Sequence, residues 1–357
     1  MKSDIKIFFF TLTASLLLTS CVLPIYDGDM DLSEQQSVWQ YLNVFSIYHD
    51  RLPDKCGGNT PEDLFRIIND SLGGARYTEY RLGKTAYDAA ASLKNQTDEC
   101  DECAVFEITD YTAYIRIPDF SAASLKFFKL AVPNLERYAN IVLDLRNNGG
   151  GLISVCDTIA GEFLPFNSEY IETRYRNYDT RELKGVTVEW EILRTVNQRP
   201  KLHDKNVAVL MNRNSASASE ILICALKDRK DRDGAFLIGE KSYGKGIGQS
   251  HIARLGRKRL SITSMQIRGL TNRTGDYHKK GIEPDPLNND LWEEAGTQYP
   301  HYRDIHLRNL YYAVKVLEPE ADSEEVREIL HENLVNLYLA KTTPIGAYFE
   351  LEDPLLN

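Results

Sequence analysis

The spacing of apolar positions changes along the chain near residue 105. Before that point, apolar residues recur at helical spacing over residues 34–50. A second helix is expected to begin at Thr60, an N-cap residue followed by a proline at the first helical position. Residues 86–104 are polar and show no periodic apolar face. The pattern therefore predicts a small helical module followed by a polar linker.

After residue 105, short apolar runs alternate with glycine-containing turns and helical stretches. The predicted strands are 105–108, 113–117, 140–145, 207–211, 236–239 and 260–263. The predicted helices are 125–138, 152–163 and the apolar run that begins at Ile221. Because strands that alternate with helices are joined by crossover connections, we predict an α/β fold with a largely parallel sheet.

The predicted organisation consists of five segments. They are a signal segment at 1–20, an acidic tether at 21–33, the helical module and polar linker at 34–104, the α/β domain at 105–290 and a helical tail at 291–357. In the first segment, Lys2 and Lys6 precede an apolar run over 7–18, which is too short for an ordinary membrane-spanning helix. The segment therefore has the features of an export signal.

The apolar run of this signal ends in Leu-Thr-Ser followed by Cys21. This ending resembles the lipobox of bacterial lipoproteins, and the resemblance implies that Cys21 carries the lipid. Buried acyl chains would then anchor the protein to a bacterial membrane, facing the periplasm or the cell exterior. A secretory signal that contains an unrelated cysteine is the alternative. Which membrane carries the protein stays open.

Charge and cysteine content narrow the classes of partner. The formal net charge is −10 and there is no sustained basic block, which argues against nucleic acid as a partner. Cys156 and Cys224 lie in apolar runs and are expected to be small core residues. In an oxidising compartment, Cys100 and Cys103 favour a local disulfide over a zinc site, and the pairing among Cys56, Cys100 and Cys103 stays open. We expect no metal and no cofactor.

Two turns carry candidate chemistry. Gly149–Gly151 follows a predicted buried strand, and glycines there allow close approach of the backbone to a ligand. The second turn, 214–220, has serines at alternate positions before a helix: Ser215, Ser217 and Ser219. Each serine is a possible N-cap of that helix, which is the structural alternative to catalysis. Glu220 is a possible cap of the same helix.

Lys245 lies between Gly244 and Gly246, a setting that keeps neighbouring side chains away from it. A lysine can act as a general base only when its amine is neutral, which burial favours. A serine hydroxyl at a helix start together with such a lysine is suited to acyl transfer without histidine.

Five segments in order resemble the carboxyl-terminal processing peptidases, the tail-specific serine proteases. They are Tyr-Ile-Arg-Ile-Pro-Asp-Phe at 114–120, Asp-Leu-Arg-Asn-Asn-Gly-Gly-Gly at 144–151, Ser-Ala-Ser-Ala-Ser-Glu at 215–220, Gly-Lys-Gly at 244–246 and Gly-Ile-Glu-Pro-Asp at 281–285. The resemblance implies a ClpP/crotonase-like core within 105–290. It also implies a Ser-Lys endopeptidase that cuts unfolded or carboxyl-terminal segments of polypeptides.

By this resemblance, Ser217 is the nucleophile, Lys245 the general base and Gln249 the group that orients the base. The backbone amides of Ala218 and Gly150 are the implied oxyanion donors. The chain departs from the family pattern in having too few residues between the helical module and the α/β domain for a PDZ domain. What replaces that domain, the natural substrate, the cleavage preference and the oligomeric state stay open.

The sequence also allows three alternative functions. Ser242 and Lys245 form a Ser-x-x-Lys pair like that of the penicillin-binding proteins, but the companion motifs are missing. A Ser-His-Asp hydrolase could use His251, but there is no Gly-x-Ser-x-Gly elbow. The third is an inactive, lipid-anchored relative that binds peptides. We expect His203, His251 and His278 to be surface or structural residues.

Overall fold

The computed structural model describes residues 34–52, 60, 63–64, 66, 80–81, 100–179, 184–255, 258–300 and 305–339. The predictions for the signal segment, Cys21, the tether and Cys56 lie outside the described residues. Within the described part of the chain, no helix combines the length and the apolar character needed to cross a membrane.

The described helices and strands are numbered in chain order. Helices α1 to α7 span Glu34–Phe45, Ala122–Leu135, Ile153–Phe163, Ala218–Lys227, Asn289–Gln298, Ile305–Leu317 and Ser323–Leu339. Strands β1 to β10 span Tyr80–Arg81, Ala104–Glu107, Thr112–Arg116, Asn140–Asp144, Glu169–Asp179, Lys184–Arg194, Asn206–Met211, Phe236–Gly239, Ile247–Leu255 and Lys258–Arg268. The described residues form two compact units, one from those within 1–97, 172–191 and 247–267, the other from those within 98–171, 192–246 and 268–357.

The larger unit, which contains residues 98–171, is built on a five-stranded sheet. Its strand order is β2-β3-β4-β7-β8, with β2 antiparallel to β3 and the remaining pairs parallel. The predicted largely parallel sheet is therefore confirmed. All five residues of β4 are buried, as expected for a central parallel strand covered on both faces.

One face of this sheet packs against the carboxyl-terminal helices. Tyr114, Val142 and Leu210 lie in one hydrophobic cluster with Leu310 of α6 and Val326 of α7. All of these side chains are almost fully buried. Burying an aliphatic side chain of this size contributes about 1.5–3 kcal/mol, so the tail helices add substantially to the core of this unit.

The smaller unit contains the second sheet. Its strand order is β1-β10-β5-β6, and β9 pairs antiparallel with β10. Arg176 of β5 donates from Nε to the Val44 carbonyl at the end of α1, at 2.8 Å. The sequence predicted part of β10 but neither β5 nor β6, in which charged residues occupy many of the positions between the apolar ones.

Several local predictions are confirmed. The Asp63 amide donates to Thr60 Oγ1 at 3.1 Å, which is the bond expected of an N-cap. Cys100 and Cys103 form a disulfide, while Cys156 and Cys224 are buried free thiols. The predicted domain boundaries remain a prediction.

The first helix of the larger unit begins earlier than its apolar spacing suggested. Ser121 precedes α2 and accepts a hydrogen bond from the Ser124 amide at 3.2 Å, so the helix begins at Ala122, three residues before the predicted start at 125. Polar capping residues extend a helix beyond its apolar stripe, and periodicity alone does not detect them.

Candidate active site

Two of the three serines in the turn before α4 are used for structure. Ser215 Oγ donates to the Leu145 carbonyl at 2.8 Å and accepts from the Asn212 amide at 3.0 Å. Ser219 Oγ donates to the Asn148 carbonyl at 2.7 Å. Both serines are fully buried. Their hydroxyls therefore tie the serine turn to the glycine turn.

Ser217 differs from its neighbours in exposure and in backbone conformation. It is partly exposed and directly precedes α4, which begins at Ala218. Its backbone has φ +60° and ψ −116°, a sparsely populated region for a residue with a side chain. Strained residues of this kind cluster at functional sites when the surrounding structure holds them in place.

The glycine turn lies directly against Ser217. Gly150 has φ +102°, and a Cβ placed on it would be 2.7 Å from Ser217 Cβ and 2.8 Å from the Ala216 carbonyl oxygen. The Asn148 carbonyl also accepts from the Ala216 amide at 3.0 Å. The structure therefore brings together the predicted residues Gly150, Ser217 and Ala218. The Gly150 amide itself donates to Asn148 Oδ1 at 2.9 Å.

The buried carboxylate of Glu220 joins the serine turn to the lysine segment. Oε2 accepts from the Ser217 amide at 3.0 Å and from the Lys245 amide at 2.7 Å. Oε1 accepts from Ser242 Oγ and from the Gly244 amide, both at 2.6 Å. Burial raises the pKa of Glu220, while these four hydrogen bonds act in the opposite direction. Glu220 is thus more than the helix cap suggested by its position.

The segment that carries Lys245 is held in place from its other side. Ser242 Oγ accepts from the Ile282 amide at 2.7 Å, and the Lys279 amide donates to the Gly244 carbonyl at 2.7 Å. Gly244 has φ +90°, and a Cβ there would lie 2.8 Å from the backbone nitrogen of Gly281. Lys245 itself is half-buried. Glycine at 244 is therefore required by backbone packing.

The predicted orienting residue lies on a strand of the smaller unit. Gln249 is in β9, where it pairs with Thr263 of β10. Its predicted role towards Lys245 remains a prediction. His251 is on the same strand, opposite Ser261. His203 is exposed, with Nδ1 3.0 Å from the Pro200 carbonyl.

A buried ionic network precedes the glycine turn. Arg146 donates to both carboxylate oxygens of Asp144, and Tyr114 Oη donates to Asp144 Oδ2 at 2.7 Å. Burial opposes ionisation of Asp144, but Arg146 and then Arg116 outweigh it and hold the pKa of Asp144 well below its usual range. This ionic network anchors the end of β4, from which the glycine turn starts.

The same arginine reaches the carboxyl-terminal helices. Arg146 Nη1 donates to the His306 carbonyl at 2.9 Å and lies 3.2 Å from His306 Nδ1. Burial, followed by the charge of Arg146, lowers the pKa of His306 to about 4. Helix α6 is therefore held to the residue that precedes the glycine turn.

Sequence reasoning missed three positioning residues: Asn148, Ser242 and His306. Their contacts join positions far apart in the chain, and no local pattern indicates them. Among the described residues, no group of three or more histidine, cysteine or acidic side chains is arranged to hold a metal ion.

Part of the chain matches a known protein family. Residues 111–287 match the profile of peptidase family S41. This part of the chain belongs to that family. The S41 region contains Gly150, Ser217, Glu220 and Lys245, and the predicted resemblance to the carboxyl-terminal processing peptidases is thereby confirmed.

Two relatives illustrate the extent of the similarity. The chain is 34% identical to the carboxyl-terminal-processing protease of Synechocystis sp., over 49% of the chain and 37% of the relative. It is 35% identical to a protein of Staphylococcus epidermidis described as a CtpA-like serine protease, over 82% of the chain and 61% of the relative. The matches thus span only part of each relative's own length.

Solved structures resemble this chain in fold. A structure from Bacteroides fragilis described as an S41 protease has a TM-score of 0.55 at 14% identity, over 83% of this chain and 99% of that one. The photosystem II D1 C-terminal processing protease has a TM-score of 0.50 at 16% identity, over 73% and 95%. At such identities the likeness concerns the fold, and it agrees with the α/β architecture.

Proposed function

We propose that the protein is a serine endopeptidase that cleaves unfolded polypeptides or their carboxyl-terminal segments with a Ser217–Lys245 dyad. The observation that carries the proposal is the setting of Ser217. It is the partly exposed serine of its turn, it packs against Gly150, and Glu220 links its amide to that of Lys245. The match of residues 111–287 to peptidase family S41 supports the same reaction.

The proposed reaction proceeds through an acyl-enzyme. Ser217 Oγ attacks the peptide carbonyl carbon as its proton passes to the neutral Lys245 amine. Lys245 then gives that proton to the departing peptide nitrogen. Water attacks the resulting ester and loses a proton to Lys245, which then returns that proton to Ser217 Oγ as the ester bond breaks and the carboxylic acid is released. Because the base must be neutral, we expect the rate to rise with pH.

The oxyanion formed in each step needs donors that are already in place. The Ala218 amide is at the start of α4 and has no hydrogen-bond partner among the described residues, as is usual for first-turn amides. The Gly150 amide is the second proposed donor, and it can serve once it turns from Asn148 Oδ1 towards the substrate. A donor of this kind contributes about 3 kcal/mol to such reactions.

We also propose that lipid on Cys21 anchors the enzyme to a bacterial membrane, where it faces the periplasm or the cell exterior. The signal-like segment and the lipobox support this location. Radiolabelled palmitate should be incorporated into the expressed protein and should be lost in Cys21→Ala, with release into the soluble fraction. Equal membrane retention of the unlabelled variant would count against the anchor.

The peptidase is tested with an unstructured protein substrate and product masses. Ser217→Ala should give no products, while the matched control Thr158→Ala, an exposed residue of α3, should retain the wild-type rate. If the wild-type protein binds the substrate without cleaving it, the chain is instead a peptide-binding relative.

A further inference from the structure

A disulfide encloses a short, exposed loop at the entrance to β2. Cys100 and Cys103 are half-buried, and the two residues between them are exposed. Closing a loop this short restricts the unfolded chain less than a long cross-link does. Both cysteines are partly exposed to solvent, and attack by an external thiol requires such access. The structural effect of this disulfide therefore depends mainly on its local contacts.

The first contact leads from the sulfurs to a buried serine. Cys100 Sγ and Cys103 Sγ lie 3.5 Å and 3.8 Å from Ser124 Oγ. Ser124 Oγ in turn donates to Asp119 Oδ1 at 2.6 Å. Asp119 directly precedes Phe120, so the contact of the sulfurs with Ser124 and the hydrogen bond from Ser124 to Asp119 together connect the disulfide to that backbone segment.

Phe120 determines where the glycine turn lies. Its amide donates to the Gly150 carbonyl at 3.1 Å, and its carbonyl accepts from the Leu152 amide at 2.9 Å. A Cβ on Gly151 would lie 2.6 Å from the Phe120 carbonyl oxygen, so the two backbones are in direct contact. Movement of Phe120 would therefore move the turn that packs on Ser217.

The second contact leads from the same loop to the other end of the turn. Glu102 Oε2 is 3.8 Å from Arg116 Nη2. Arg116 Nη1 donates at 3.3 Å to the carbonyl of Arg146, the residue before 147–151. The disulfide loop thus contacts structures that hold both ends of residues 147–151.

We propose that Cys100–Cys103 is a dithiol–disulfide exchange site whose redox state controls the glycine turn and, through it, cleavage at Ser217. A thiolate of a dithiol reductant attacks one sulfur, which breaks the disulfide and forms a mixed disulfide. The second thiol of the reductant then releases the protein. Two electrons and two protons pass to Cys100 and Cys103, and the reductant becomes a disulfide. Reduction frees the loop and loosens both of its links to the turn.

The expected effect on cleavage rests on the proposed peptidase function, whereas the expected effect on the glycine turn does not. The experiment therefore measures both the cleavage rate and hydrogen exchange. The protein is treated with dithiothreitol, and the reduced pair is identified by the mass of the alkylated peptide. We expect cleavage to fall by about tenfold, as small displacements in a site can cause, and to recover on reoxidation. Hydrogen exchange at the amides of 147–152 should become faster in the reduced protein.

Two variants separate this site from the other thiols. The double variant Cys100→Ser/Cys103→Ser should show the low rate and the fast exchange with or without reductant. Cys56→Ser should retain the full response. If confirmed reduction leaves the exchange at 147–152 unchanged, the disulfide is only a static cross-link and the proposal is wrong. Absence of cleavage by the oxidised protein would reject the peptidase instead, and the exchange readout would still apply.

Discussion

Glu220 Oε2 lies 2.7 Å from the backbone nitrogen of Lys245. The same oxygen accepts from the Ser217 amide, so one buried carboxylate binds the segments that carry the proposed nucleophile and base. The separation of the two segments therefore depends on the charge and shape of Glu220.

Replacing this carboxylate tests that dependence. Glu220→Gln presents an NH2 group to backbone and hydroxyl donors, so at least one donor is left without an acceptor. We expect a loss of about 1–3 kcal/mol in the free energy of unfolding and a marked loss of cleavage. Urea unfolding and the cleavage rate measure the two effects. The exposed Glu240→Gln is the matched control, and equal behaviour of the two variants would contradict this role.

The three serines should fall into two classes when each is replaced by alanine. Ser215→Ala and Ser219→Ala remove buried hydrogen bonds to the Leu145 and Asn148 carbonyls, so each should cost about 1–3 kcal/mol of stability. Ser217→Ala should change stability by less than about 0.5 kcal/mol and abolish cleavage. Denaturant unfolding with parallel activity assays distinguishes the classes. Loss of cleavage in Ser219→Ala alone would reverse the assignment.

Gly149 and Gly150 of the turn provide a matched pair for substitution by alanine. A methyl group on Gly150 would meet Ser217 and Ala216 at a positive φ, whereas one on Gly149 would meet nothing within 4 Å. Gly150→Ala should therefore lose about 1–3 kcal/mol of stability together with activity. Gly149→Ala should stay close to wild type in stability. The measurement is thermal or urea unfolding of both, and similar losses would show that the contact with Ser217 is not decisive.

His306 should give the stability a specific dependence on pH. Its pKa falls from 6.5 to about 4 in the folded chain, because of burial and then the charge of Arg146. In the window between these values the unfolded chain binds the proton and the folded chain does not, so stability rises with pH. His306→Gln should show a shallower rise across this window, measured by urea unfolding.

Asp157 titrates in part of the same pH window, so its effect on the pH dependence of stability must be separated from that of His306. Burial raises the pKa of Asp157 to about 6, so its contribution to stability falls as pH rises towards that value. This contribution is common to wild type and variant, and their difference isolates His306. The exposed His203→Gln serves as a control. Parallel curves for wild type and His306→Gln would contradict the expected titration.

Much of the larger unit could be predicted because its strands are short apolar runs bounded by glycine or polar turns. Strands β4 and β7 follow that rule, since central parallel strands are apolar on both faces. Sequence reasoning missed the long strands β5 and β6, although β6 has the alternation typical of a strand: Val186, Val188, Trp190 and Ile192 recur at every second position. Charged residues at several of the intervening positions gave these strands a polar composition like that of a linker.

The same distinction holds for the candidate site. The family resemblance indicated Ser217 and Lys245, and local glycine patterns indicated the turn at Gly150. The hydrogen bonds that Glu220 accepts from Ser242 and Lys245 connect residues more than twenty positions apart, and the one that Arg146 donates to His306 spans 160. Such contacts arise from tertiary packing, so no spacing rule within the sequence could predict them.

The central claim is that Lys245 activates Ser217 as a nucleophile. The most direct test is covalent labelling with a fluorophosphonate, followed by peptide mapping of the modified residue. We expect a label on Ser217 in the wild type and almost none in either Lys245 variant. Lys245→Ala lacks the amine, and the guanidinium of Lys245→Arg stays protonated. Equal labelling of Ser217 in the Lys245 variants, or a label on another serine, would contradict it.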